Sequence, residues 1–309
     1  MSILFFLLFG IVVGLLFSTQ ASISSKLNGY ARNPLMVSFI VFLLGSLTLF
    51  ILNFFIDHNW LITPIDSSYP MYIFFVGAIF GVIFNVLNIL LFSKLGASNS
   101  VLVTVSGQMI TGILIDHFGW FGVPQNSINL STVFGVVLLI FAIYVSQYKK
   151  QTTVSNFSAG KLIWIFIGIL GGAFPILQTG TNNILRQATN SPFKATFITF
   201  FGASIILFFI LLIKNRKIDF PTKDNDGNKI PLWMYASGII AAFVVTGNVF
   251  LLPILGSVVT TMVTLFGQMI MGLIIDHFGL FSLKKQKITW NRILALAIMV
   301  IGIAIVKIF

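Results

Sequence analysis

The sequence predicts an all-α membrane protein of about ten transmembrane helices, arranged as two inverted five-helix repeats. Three observations carry this: a composition too apolar for water, ten apolar runs of spanning length, and a long motif that occurs twice. Of the 309 residues, 57% are hydrophobic and 8% are charged, against about 25% charged in soluble proteins. Such a chain cannot cover a water-facing surface and requires lipid as its solvent.

The runs come first. A helix needs about 20 apolar residues to cross a bilayer core of about 30 Å, and it satisfies its own backbone hydrogen bonds there. Runs that fit, some a little short, cover residues 3–19, 35–56, 71–92, 97–118 and 128–148 in the first half. In the second half they cover 161–178, 193–213, 231–255, 258–278 and 292–307. The first run has no Lys or Arg before it, so it reads as a membrane helix and not as a signal peptide.

Charge orients the runs. The net charge is +11, from 18 Lys and Arg against 7 Asp, with no Glu. With the N-terminus outside, 15 of the 18 basic residues fall in inside loops, leaving Arg186, Lys194 and Lys307 outside. An even number of helices returns the C-terminus to the same side, so both termini are expected to be extracytoplasmic. Basic residues between apolar runs meet anionic headgroups, and nucleic acid is not an expected partner. The expected partners are the lipid bilayer and a small-molecule substrate, with a homodimer left open. The absence of Cys excludes disulfides and thiolate chemistry, and no metal or cofactor is expected. The polar stretch Asp224-Asn225-Asp226-Gly227 lacks the opening and closing ligands of a calcium loop, with Thr222 and Trp233 at those positions, and reads as a solvated loop.

The repeat groups the runs. Residues 107–119 (GQMITGILIDHFG) and 267–279 (GQMIMGLIIDHFG) are identical at ten of thirteen positions, at an offset of 160. The match extends back to Thr104 with Thr264, Gly96 with Gly256 and Asn88 with Asn248. Near the start of each half, Gly10, Gly14, Gln20, Leu27, Pro34 and Phe42 pair with Gly168, Gly172, Gln178, Leu185, Pro192 and Phe200 at an offset of 158. Residues 1–150 and 158–309 therefore read as two copies of one five-helix unit. Because five is odd, the copies enter the membrane from opposite faces. Inverted repeats of this kind recur in transporters that alternate access to a central site. A larger bundle made by duplication, acting as a scaffold or sensor, is the alternative.

The twice-occurring pattern of Gln108 with Asp116-His117-Phe118-Gly119, and Gln268 with Asp276-His277-Phe278-Gly279, resembles the YdcZ-type branch of the drug/metabolite transporter superfamily. Gln178, Asn182 and Leu185 also resemble its first-helix pattern, while Ser24 stands in the first half where Asn182 stands in the second. The resemblance implies four-plus-one helices per half in a bacterial inner (plasma) membrane, and export of metabolites or drugs. The superfamily more often places both termini in the cytoplasm, opposite to the charge count.

Polar groups inside apolar spans mark the candidate substrate path. Thr104, Gln108 and Thr111 form one helical stripe, which Thr264 and Gln268 repeat in part. Interhelical hydrogen bonding is the alternative role. Asn88, Asn248, Gln20 and Gln178 are further path candidates, and packing also accounts for them. Asp116-His117 and Asp276-His277 fall at opposite faces, so gating or proton handoff is one reading. A capping Asp beside a headgroup-level His is the other. Small multidrug exporters of the superfamily use an acid in the first helix. None is present here, which favours neutral, zwitterionic or anionic solutes. No HExxH, GxSxG or Cys nucleophile points to an enzyme.

Overall fold

The computed structural model describes residues 3–56, 69–95, 97–147, 159–215, 220–221, 229–282 and 289–308. The Asp224–Gly227 stretch, the junction between the two copies and most of the basic loop residues used for orientation lie outside the described residues.

Among the described residues there are ten α-helices. They are α1 (Ile3–Ala31), α2 (Pro34–Ile56), α3 (Ile73–Leu95), α4 (Ala97–Phe118) and α5 (Leu130–Gln147), then α6 (Ala159–Thr189), α7 (Pro192–Asn215), α8 (Ala236–Leu255), α9 (Ser257–Phe278) and α10 (Trp290–Ile308). Six of these regions are long and apolar enough to cross a membrane by length and composition, and three further apolar stretches, Ile73–Asn88, Leu130–Ala142 and Ile293–Val306, are shorter. α1 and α6 overrun the expected spans by about a dozen residues each, because Ala, Ser, Asn and Gln beyond the apolar run remain compatible with helix. Outward faces carry exposed Leu4, Leu8, Phe54, Phe55, Phe166 and Phe209. In water this much exposed apolar surface would aggregate, whereas in a bilayer it is the lipid contact.

Equivalent helices run in opposite directions. Along α2 and α7, Phe39 meets Phe208, Phe42 meets Phe200 and Phe50 meets Phe197, so one sequence rises as the other falls. Phe42 and Phe200 occupy the same position in the two copies and touch each other, with ring centroids 5.1 Å apart. A pseudo-twofold axis therefore passes close to this pair.

The halves are interleaved. α1 packs on α8 and α9 of the other half, and α6 packs on α3 and α4. Both crossings use the same device. A side chain built on Gly14 would place its Cβ 2.0 Å from the Thr264 carbonyl oxygen, and one built on Gly172 would lie 2.0 Å from the Thr104 carbonyl oxygen. The partner glycines Gly267 and Gly107 are equally close to the carbonyls of Ile11 and Ile169, at 2.1 and 1.9 Å. Backbone thus meets backbone at each crossing, which only glycine permits. α5 and α10 lie against each other, joined where Gly135 meets Gly302 and Val306.

Candidate functional site

A cavity of about 380 Å³ lies around the pseudo-twofold axis, lined by α1, α2, α3, α6, α7 and α8. Both copies contribute. Gln20 and Gln178, Asn88 and Asn248, and Phe42 and Phe200 are equivalent pairs on its wall. Where α1 offers Phe17, α6 offers Pro175, a residue that lacks the N–H for the helical ladder and leaves a backbone carbonyl one turn earlier to find another donor. The lining is mixed: Phe17, Phe84, Val41 and Val244 supply apolar surface, and Ser24, Ser25, Asn28, Asn85 and Thr179 add polar groups.

The cavity reaches the surface at the C-terminal end of α1, where Ser25 is exposed and Asn28 is half-buried. Inside, Gln20 donates from Nε2 to the Ser24 hydroxyl at 3.1 Å. The Gln178 Nε2 and Asn28 Oδ1 atoms are buried without a protein partner. An amide atom left in this condition costs about 1–3 kcal/mol.

The opposite end of the bundle is sealed by the C-terminal end of α6. Asn182 and Asn183 are fully buried there. The Thr199 hydroxyl donates to Asn182 Oδ1 in a short bond between α7 and α6. Asn183 Nδ2 donates to the Phe121 carbonyl at 2.9 Å, and Arg186 Nε donates to Asn183 Oδ1 at 3.0 Å. The Phe121 ring packs against Gly180, and Phe121 holds a left-handed backbone, φ 58°, in the short 3-10 turn Trp120–Gly122 that follows α4. Beneath this clamp, Ile115, Val123 and Leu252 form a buried apolar cluster with Ile176 and Leu177.

Asp116 belongs to the same sealed end. Its carboxylate accepts the Ser257 N–H at 2.7 Å and the Val258 N–H at 2.9 Å. These are orphan donors at the start of α9, and an anion there also meets the positive end of the helix dipole. The residue caps a helix of the other half, not the turn that follows it. Gly256, at φ +79°, lets the chain turn into α9 beside the carboxylate. His117 Nδ1 accepts the Ile128 N–H at 3.3 Å, and His277 is exposed with its ring edge-on to Phe278. The Asp276 side chain lies outside the described residues.

The structure divides the sequence candidates into two groups. Gln20, Gln178, Asn88 and Asn248 line the cavity, whereas Thr104, Gln108, Thr111, Thr264 and Gln268 are not among its lining residues. Thr104, Gln108, Thr264 and Gln268 belong to the glycine crossings. The backbone N of Gln108 lies 3.0 Å, and that of Gln268 2.9 Å, from the Cβ that Gly172 or Gly14 lacks. The Thr264 hydroxyl donates to carbonyls of its own helix, Thr260 at 2.9 Å and Thr261 at 3.0 Å. Asn28, Asn85, Ser25 and Thr179 were not path candidates. Asn85 carries a signal in the sequence, a second amide one turn from Asn88 in an apolar helix, whereas Asn28 lies near a helix end, where an amide is ordinary.

Fold and cavity together define a multi-pass membrane protein with a chamber of mixed lining between inverted halves. The family model described as "Putative inner membrane exporter, YdcZ" matches residues 5–145 and again residues 163–305, and the chain belongs to this family. A solved crystal structure of a protein superposes with a TM-score of 0.69 at 13% sequence identity, covering 98% of this chain and 96% of the other, which is a likeness of fold. No curated protein matches the chain.

Proposed function

We propose that the chain is a secondary transporter that exports a small metabolite or drug-like solute by alternating access. The observation that supports this most is the pairing of one amide-lined cavity with two unlike ends, reaching the surface beside Ser25 and closed over Asn182, Asn183 and Phe121. A static bundle has no need of a void walled by amides. A transporter caught with one end open requires one.

Orientation follows from charge. Lys26 and Arg32 flank the mouth end of α1, and most basic residues fall on that side of the predicted spans, so the mouth faces the cytoplasm and solute enters from within. The matching end of the second copy then forms the exit. Residues 1–150 and 158–309 act as the two units that exchange environments, with Gln20, Gln178, Asn88 and Asn248 on the path.

The test compares cells lacking the gene with cells overproducing the protein or its Asn88→Leu variant, which keeps bulk but removes the amide. At least one intracellular solute is expected to fall on overproduction of the wild type and not of the variant. Identical solute profiles in all three, with the variant folded and in the membrane, would remove the transport reading.

A further inference from the structure

The cavity wall constrains the identity of the solute. We infer that the cavity recognises flat, aromatic or heteroaromatic solutes that carry no net charge and that present both hydrogen-bond donors and acceptors. The inference rests on the transport reading above and extends it to a chemical class.

Three features support it. First, the wall carries six carboxamides, Gln20, Asn28, Asn85, Asn88, Gln178 and Asn248, and among the described residues lining it there is no Asp, Lys, Arg or His. A solute with a net charge would leave water for a chamber walled by apolar helices with no counter-charge. Its desolvation cost exceeds what neutral amides return, for either sign of charge.

Second, each carboxamide offers a donor and an acceptor side by side, the complement of a ring nitrogen beside an amino group or of a second amide. Asn85, Asn88 and Asn248 line the cavity and are only half-buried. Gln178 lines it too, with its Nε2 atom buried against Gly81 of α3 without a protein partner.

Third, the polar groups alternate with ring surfaces. Phe17, Phe42, Phe84 and Phe200 line the cavity; Phe17 is half-buried, and the Phe42 and Phe200 rings pack edge-on against each other at 74°. Aromatic partners favour such edge and face contacts. The volume would hold roughly a dozen waters, which suits one or two fused rings and not a peptide or a lipid.

A charge series on one ring tests the proposal: nicotinamide (neutral), nicotinate (anion) and 1-methylnicotinamide (cation), each titrated by equilibrium dialysis onto the purified full chain in nanodiscs. Nicotinamide is expected to bind at least about tenfold more tightly than either charged analogue. Gln178→Leu and Asn88→Leu should each weaken it at least about tenfold while remaining monodisperse. Equal or tighter binding of a charged analogue overturns the inference. So does the absence of nicotinamide binding at millimolar concentration, or retention of binding by both variants. Efflux from loaded proteoliposomes separates this from the transport reading. Nicotinamide bound but not moved would leave the site chemistry standing and remove transport. Efflux of a charged analogue without nicotinamide binding would do the reverse.

Discussion

The C-terminal ends of α1 and α6 occupy the same place in the two copies and have opposite roles. Past Gln20, α1 carries Ser24, Ser25 and Asn28, and the chain leaves a void there. Past Gln178, α6 carries Asn182, Asn183 and Arg186 at the same register, and the chain is shut. The partner helices differ in step. Thr199, which bonds Asn182, is replaced in the other copy by Val41, a cavity-wall residue. The asymmetry is thus written in side chains as well as in conformation. Longer amides with a hydroxyl partner hold one end closed, and short hydroxyls facing a valine let the other stand open.

Between those ends the two copies agree, and the sharpest way to break the comparison is at the glycine crossings. Gly14→Val and Gly172→Val each drive a Cβ into a backbone carbonyl that cannot yield without moving a helix. Each should cost about 3 kcal/mol or more, read as a lowered thermal midpoint or loss of monodisperse protein in detergent. Similar losses in both are expected, because the crossings are alike; a tolerated Val at either would mean the two contacts are not equivalent.

Next in size is Asp116→Ala, which leaves two N–H groups at the start of α9 without their acceptor. A lost N-terminal cap costs about 0.5–2 kcal/mol. Because that cap ties α4 to α9 at the sealed end, the variant should also admit reagent from the sealed side. A Cys placed at Thr179, in a chain that has none of its own, reports this by labelling with an impermeant maleimide in vesicles of either orientation. Labelling from the mouth side alone, unchanged by the substitution, would separate the cap from the seal.

A comparable effect is expected for Asn183→Ala combined with Thr199→Val, about 1–2 kcal/mol for hydrogen bonds removed at a buried junction. The same Cys should become reachable from both faces. The finest test builds the seal at the open end. Ser24→Asn with Val41→Thr copies the Asn182–Thr199 pair into the first half and should slow labelling from the mouth by severalfold with little change in stability. An unaltered rate would show that side-chain chemistry at this register does not decide which end is shut.

These contrasts also show what the sequence could reveal. Ten helices and their inversion were legible because hydropathy and a thirteen-residue repeat are local patterns with few alternatives. Gln20, Gln178, Asn88 and Asn248 stood out because amides are costly in apolar helices. Gln108 and Gln268 stood out for the same reason, yet they sit in the most repeated segment because that segment makes the close backbone crossings of Gly107 and Gly267. Similarity between copies marks what both must do, and both must cross. The bond from Asp116 to Ser257 joins residues 141 apart, and no local pattern announces it. The seal has no repeated pattern to mark it for a related reason, since it depends on residues by which the copies differ.

The seam between α5 and α10 has a consequence for assembly. These helices stand outside the cavity wall and hold the two halves face to face. If each half were a separate polypeptide, that seam would have to form by encounter in the membrane, and the amount of working protein would depend on dilution. Joined in one chain, the halves meet at a fixed effective concentration. The two partners are then no longer obliged to be identical, so the chamber wall can carry Asn85 in one copy where the other carries Val245, an arrangement that a protein made of two copies of one gene product could not build.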